Sequence, residues 1–118
     1  MTYISRRNIP ENTIEERTYQ TAIAAKAETA NTLAVLPTGM GKTAVALLLA
    51  AKRLDAGKIL MLAPTKPLVE QHLRYFSKNL LLGENEVVML TGETTPAKRI
   101  KLFTESRFCI ATPEVVKN

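Results

Sequence analysis

Apolar positions along this chain come in two rhythms. Lys58 to Ala63, Val87 to Leu90 and Phe108 to Ala111 are short continuous apolar runs bounded by turn residues, and Thr32 to Leu36 is an earlier run of the same kind. Such runs read as strands buried on both faces. Between them the spacing turns helical. Val69, Leu73, Phe76 and Leu80 form one apolar stripe, with Glu70, Arg74 and Lys78 on a solvated face. Ala44 to Ala51 is apolar on almost every side, which predicts a buried helix, with Gly57 as its left-handed stop. Pro67 opens the striped helix. Thr95 caps and Pro96 opens another, with Ile100 and Phe103 expected inward and Lys98, Arg99 and Lys101 outward. Thr112-Pro113 repeats that helix start. Upstream, Asn12 or Thr13 is placed to cap a helix running to about Ala30, with Glu15 and Glu16 in its first turn, after a polar, basic lead-in over residues 1–12.

Strand and helix therefore alternate. That order builds an α/β fold, a parallel sheet of about four strands with helices on both faces, joined by right-handed crossovers. Ligands in such sheets bind at the carboxyl ends of the strands. Four polar loops leave those ends: Pro37–Thr43, Pro64–Pro67, Thr91–Glu93 and Thr112–Pro113.

Composition narrows this only a little. At 118 residues, 46% hydrophobic and 23% charged, the chain is one ordinary globular domain at most. No apolar run is long enough to span a bilayer, and Arg6 and Arg7 are followed by no secretory apolar segment. The single cysteine, Cys109, cannot make an internal disulfide, which fits a reducing cytosol, and its apolar neighbours predict a buried strand residue. The net charge of +5 favours acidic partners such as nucleic acid.

The loop Pro37-Thr38-Gly39-Met40-Gly41-Lys42-Thr43 carries the chemistry. Strand, glycine loop, Gly-Lys-Thr and helix is the order of a phosphate-binding loop. Its glycines let main-chain N–H groups approach phosphate oxygens, and the helix N-terminus adds positive potential. Lys42 then reaches the outer phosphates and the Thr43 hydroxyl ligates Mg²⁺. The general pattern has glycine where this chain has Leu36. The plain alternative is a glycine loop with an exposed lysine, against which the flanking strand and helix argue.

The remaining loops discriminate among phosphate-loop proteins. Arg17-Thr18-Tyr19-Gln20, then Asn31 to Thr43, then Leu60 to His72 with its Ala63-Pro64-Thr65-Lys66-Pro67-Leu68-Val69 core, then Thr91-Gly92-Glu93 and Ala111-Thr112-Pro113-Glu114 stand in this order. This set resembles the first RecA-like motor domain of superfamily-two helicases. Within them it is most similar to the archaeal Hef helicase–nuclease and Fanconi-anaemia M-type group, with the RNA-sensor helicases and Dicer as cousins. These helicases do not require glycine at position 36.

The resemblance implies ATP and Mg²⁺ as cofactors. It implies that Gln20 reads adenine, whose N6 and N7 match an amide bidentately at roughly 1–3 kcal/mol of discrimination. It implies that Arg17 stacks on the adenine face and that Pro37, Thr38, Gly39, Met40, Gly41, Lys42 and Thr43 bind the nucleotide, Lys42 and Thr43 being catalytic. Thr65, Lys66, Thr91, Gly92 and Thr112 occupy positions that contact the nucleic-acid backbone, which positions a strand without reading its sequence. Thr65 and Thr112 equally suit helix caps. His72, without acidic or cysteine partners at metal-ligand spacing, reads as structural.

Hydrolysis in this class needs more: an acid for Mg²⁺, a group orienting water, and an arginine on the transition state. The chain has no Asp-Glu pair, and Asp55 is its only aspartate. The expectation is that residues 13–118 are the N-terminal part of motor domain 1 of a larger DNA helicase or translocase, acting on forked DNA. Its partners would be DNA in preference to RNA, the remaining helicase domains, and a second copy through an exposed sheet edge. Rival readings are a non-catalytic nucleotide-binding module, a compact small-molecule kinase, and an RNA helicase of the same superfamily.

Overall fold

The computed structural model describes residues 2–11, 14–33, 41–83 and 86–117. In chain order the elements are α1 (Thr18–Thr29), α2 (Lys42–Arg53), β1 (Ile59–Leu62), α3 (Lys66–Asn79), β2 (Val87–Leu90), α4 (Pro96–Glu105), β3 (Phe108–Ala111) and α5 (Pro113–Lys117). The three strands form a parallel sheet in the order β1-β3-β2. All three coincide with continuous apolar runs. The strand expected over 32–36 lies mostly outside the described residues.

Alternation along β3 explains the layers. Phe108 and Ile110 face one side, with Val87 and Met89 of β2 and Ile59 and Met61 of β1, and that side is covered by α2 and α3. Cys109 and Ala111 face the other, with Val88, Leu90, Leu102 and Val115. Helices therefore cover both faces of β3. β1 departs from the expectation of a strand buried on both faces: Leu60 and Leu62 are 44% and 49% exposed, because β1 is an edge strand among the described residues and its second face is left largely uncovered. The α3 stripe packs as its spacing predicts, with Val69, Phe76 and Leu80 buried and Leu73 partly so. Phe76 meets Phe108 at 4.9 Å between ring centroids and Tyr75 edge-on at 5.3 Å. Burying each phenylalanine contributes about 2–3 kcal/mol.

Four further local expectations change. α1 begins at Thr18, not near residue 13, because the preceding stretch is extended and paired: Ile4 N–H donates to Ile14 O at 2.7 Å, and Glu16 N–H to Thr2 O at 2.7 Å. Glu15 and Glu16 thus lie before the first helical turn, while Asn12 and Thr13 lie outside the described residues. The lead-in is not merely polar, since Ile4 and Ile9 are buried in the core.

Gly57 is not left-handed. The last carbonyls of α2 are satisfied by a right-handed turn, with Leu54 N–H on Ala50 O and Ala56 and Gly57 N–H on Arg53 O. Ile100 and Phe103 point outward, 71% and 43% exposed. α4 turns Arg99 and Leu102 inward instead, because Arg99 Nε donates to Thr94 O at 2.8 Å and Leu102 joins the second apolar cluster. Its far end is tied to β1 by Lys58, whose Nζ donates to Ser106 O at 2.6 Å and lies 4.5 Å from the Phe103 ring centroid.

Candidate functional site

α1 and α2 lie side by side with their N-termini together. Gln20, in the first turn of α1, is buried, and its Nε2 donates to Gly41 O at 3.2 Å. Gly41 caps α2 with φ 72° and ψ 48°, the left-handed region. A Cβ there would lie 2.3 Å from Gln20 Nε2. The left-handed conformation demands glycine, while the crowding falls on the movable end of the Gln20 side chain. The same carbonyl accepts Ala44 N–H at 3.1 Å. Lys42 and Thr43 open the helix, so their N–H groups precede the first intrahelical acceptor. Lys42 is exposed and Thr43 half-buried. The expected nucleotide residues Pro37, Thr38, Gly39 and Met40 lie outside the described residues.

Arg17 precedes this corner on the surface. Its Nη1 donates to Tyr19 Oη at 3.5 Å, and Nη2 stands 3.7 Å from Glu15 Oε2. The Tyr19 hydrogen bond, then the charges of Tyr19 and Glu15, raise its pKa.

The second cluster lies where the strands end. Leu62 and Leu90 are both in register with Ala111, so the loops after β1, β2 and β3 leave the sheet at one level. This brings Thr65, Lys66, Thr91, Gly92 and Thr112 onto one edge. Thr65 caps α3 through extended backbone, but its hydroxyl makes no cap hydrogen bond. Lys66 Nζ lies 2.6 Å from Glu93 Oε2 and 3.8 Å from Glu70 Oε1. The Glu93 hydrogen bond raises the lysine's pKa.

Thr91 and Thr112 are buried. The Thr91 hydroxyl accepts Glu93 N–H at 3.4 Å, Thr91 N–H donates to Thr94 Oγ1 at 3.3 Å, and Thr94 N–H closes the turn onto Thr91 O at 3.0 Å. Thr112 O accepts Val115 N–H at 3.2 Å, opening α5. Gly92 is exposed, and a Cβ there would meet nothing within 4 Å. The two clusters share an orientation. α2 ends just before β1 begins, so it runs back against the strand and its start lies toward the edge where β1 finishes.

Sequence reasoning missed Glu93 as the partner of Lys66 and Arg99 as the brace of the turn. The first pair is 27 residues apart, beyond any local pattern. His72 is partly buried against Phe76, 6.3 Å between ring centroids, and burial lowers its pKa. Cys109 is fully buried in β3, which pushes its thiol pKa up.

The DEAD/DEAH box helicase family model matches residues 16–118. A Methanocaldococcus jannaschii protein named provisionally as an ATP-dependent RNA helicase is 44% identical over 118 residues, covering 98% of this chain and 15% of the relative. The Drosophila melanogaster ATP-dependent DNA helicase Fancm is 39% identical over 108 residues, covering 89% of this chain and 7% of the relative. The chain thus spans less than a sixth of the length of these relatives.

Among solved structures, the Pyrococcus furiosus Hef helicase domain superposes with a TM-score of 0.89 at 43% identity, over 94% of this chain and 24% of that one. The UvsW helicase of bacteriophage T4 superposes at 0.70 with 25% identity, over 94% of this chain and 41% of that one. These are RecA-like helicase domains, and the three-stranded parallel sheet is a truncated form of that α/β fold. Both clusters fall within the matched segment, and the chain belongs to the DEAD/DEAH box helicase family.

Proposed function

We propose that this chain supplies the ATP-binding corner and one side of the strand track of an ATP-driven DNA helicase or translocase acting on forked or branched DNA. The observation that carries the reading is the contact of Gln20 with Gly41. It joins the residue expected to read adenine to the last glycine of the phosphate loop.

The corner suits ATP with Mg²⁺. Gly41 provides a surface that a Cβ would close, and Lys42 and Thr43 follow it at the start of a helix. Lys42 would hold the outer phosphates, Thr43 the Mg²⁺, and Gln20 and Arg17 the adenine. A bound Mg²⁺ supplies charge neutralisation on the phosphates. Main-chain amides orient the phosphate chain, and the amide of Gln20 selects the base. Thr65, Lys66, Thr91, Gly92 and Thr112 hold the phosphates of the strand. The chain alone binds nucleotide weakly and turns over negligibly, for want of an acid and an arginine to complete the site.

A fluorescent ATP analogue titrated into the chain tests this. Lys42→Ala should weaken binding about 10- to 100-fold, the worth of a charged hydrogen bond, and Gln20→Ala should reduce the preference for ATP over GTP. Equal binding by wild type and Lys42→Ala would overturn the assignment. In the longer parent protein, DNA should stimulate hydrolysis, and Lys42→Ala should abolish it. A non-catalytic module would bind nucleotide without that stimulation. A second reading, RNA as the strand, is favoured by the names of two relatives, from M. jannaschii and Arabidopsis thaliana. Competition between matched deoxy- and ribo-oligonucleotides decides it.

A further inference from the structure

We infer that the Glu93 carboxylate occupies, on Lys66, the place of a strand phosphate, so that nucleic acid must displace an internal competitor to engage this edge. The inference rests on the strand-track reading above.

Three observations carry it. Lys66 is already partnered, with Glu93 at 2.6 Å and Glu70 at 3.8 Å. One ammonium faces two carboxylates, so the charge of Lys66 is already offset before a phosphate arrives. An approaching phosphate must therefore compete for the residue expected to attract it.

The backbone carrying Glu93 is also fixed. The turn from Thr91 to Thr94 is braced by the hydrogen bonds of both threonine hydroxyls, by its own closing bond, and by Arg99 on Thr94 O. The carboxylate itself is 74% exposed. Exchange of partners thus requires rotation of one side chain, not movement of the loop. An exposed ion pair is weak enough to break, since its attraction is screened by water and opposed by side-chain entropy.

The surroundings suit a phosphate that follows. Thr65 presents a hydroxyl uncommitted to its helix cap, and Gly92 leaves open space beside Glu93. Glu70 remains beside Lys66 throughout, so a free lysine does not result when Glu93 leaves. Its role is that of a reserve partner, and its removal should matter less than that of Glu93.

The test is fluorescence anisotropy of a labelled oligothymidylate with the full chain at low ionic strength. Glu93→Gln should tighten binding about two- to fivefold, the range an exposed ion pair supports. Glu70→Gln should tighten it by less. The gain should vanish in the double variant Lys66→Gln/Glu93→Gln, and should shrink at high salt. Mere structural disturbance weakens binding and cannot produce this gain. If wild type binds and Glu93→Gln binds equally or more weakly, the competition is wrong while the strand track stands. If the tightening survives in the double variant, Lys66 is not the site of competition. If neither wild type nor any variant binds, the strand-track reading itself falls and takes this one with it.

Discussion

The corner between α1 and α2 and the edge formed by the three strand ends are built on opposite principles. At the corner a buried amide touches a left-handed glycine, and a single added carbon would collide with it. At the edge the decisive contact is an exposed ion pair between side chains from different loops. The corner is specified by backbone conformation, which favours glycine over any other residue at position 41. The edge is specified by charge, which tolerates substitution but responds to salt. On the proposed function, a site that recognises one small ligand and a site that slides along a polymer have different needs, and this division of construction would suit them.

Gly41→Ala should break the contrast most sharply if it is wrong. Holding alanine in the left-handed region costs about 1–2 kcal/mol, before the collision with Gln20. Thermal unfolding should show a loss of about 1–3 kcal/mol together with loss of nucleotide binding. A neutral outcome would mean that the corner is not closed.

The two threonine caps sharpen the contrast on a smaller scale. Thr95 Oγ1 accepts Lys98 N–H at 3.4 Å, whereas Thr65 makes no such bond. Thr95→Ala should therefore cost about 1 kcal/mol of stability. Thr65→Ala should stay within about 0.5 kcal/mol, yet weaken oligonucleotide binding. Denaturant unfolding and anisotropy on the same pair of variants separate the two roles.

The smallest effect concerns His72, on α3 beside Phe76. Burial lowers its pKa from 6.5, so the folded chain favours the neutral ring. Its contribution is complete above the unfolded value and is lost as pH falls through the lower folded one. Stability should decline modestly as pH drops below about 6.5, and His72→Gln should flatten that slope. Glu86, held below its usual range by Gly83 N–H and Arg107, titrates lower still and leaves this window clear. A His72 nuclear magnetic resonance titration with a midpoint above 6.5 would contradict the assignment.

Much of this architecture is legible in local pattern. Val69, Phe76 and Leu80 share a stripe because helical spacing alone puts them there, and β3 is a continuous apolar run because both of its faces are covered, whereas the equally apolar run of β1 leaves Leu60 and Leu62 exposed. The contact of Gln20 with Gly41 was not readable as a distance, but the residue types and their order pointed to both. What escaped was set by partners remote in sequence. Ile4 belongs to the core because residues 2–4 pair with 14–16, and Ile9 follows Asn8, whose Nδ2 donates to Ala51 O and whose carbonyl accepts Leu81 N–H. Ile100 and Phe103 face outward because Arg99 is drawn to Thr94, and with Leu60, Leu90, Val115 and Val116 they line an open apolar groove of about 460 Å³. Glu93 carries no local mark of its attachment to Lys66. Charge pairing across 27 residues leaves no period to detect.

Strand order has a consequence for how the molecule comes into being. β3 is the middle strand of the sheet yet the last of the three along the chain, and β1 and β2 pair with it and not with each other. As the polypeptide leaves the ribosome, the two earlier strands have no partner among the described residues until Phe108 to Ala111 arrive. One late tetrapeptide then closes both ladders at once, and the edge expected to grip a nucleic-acid strand comes into existence in that same step.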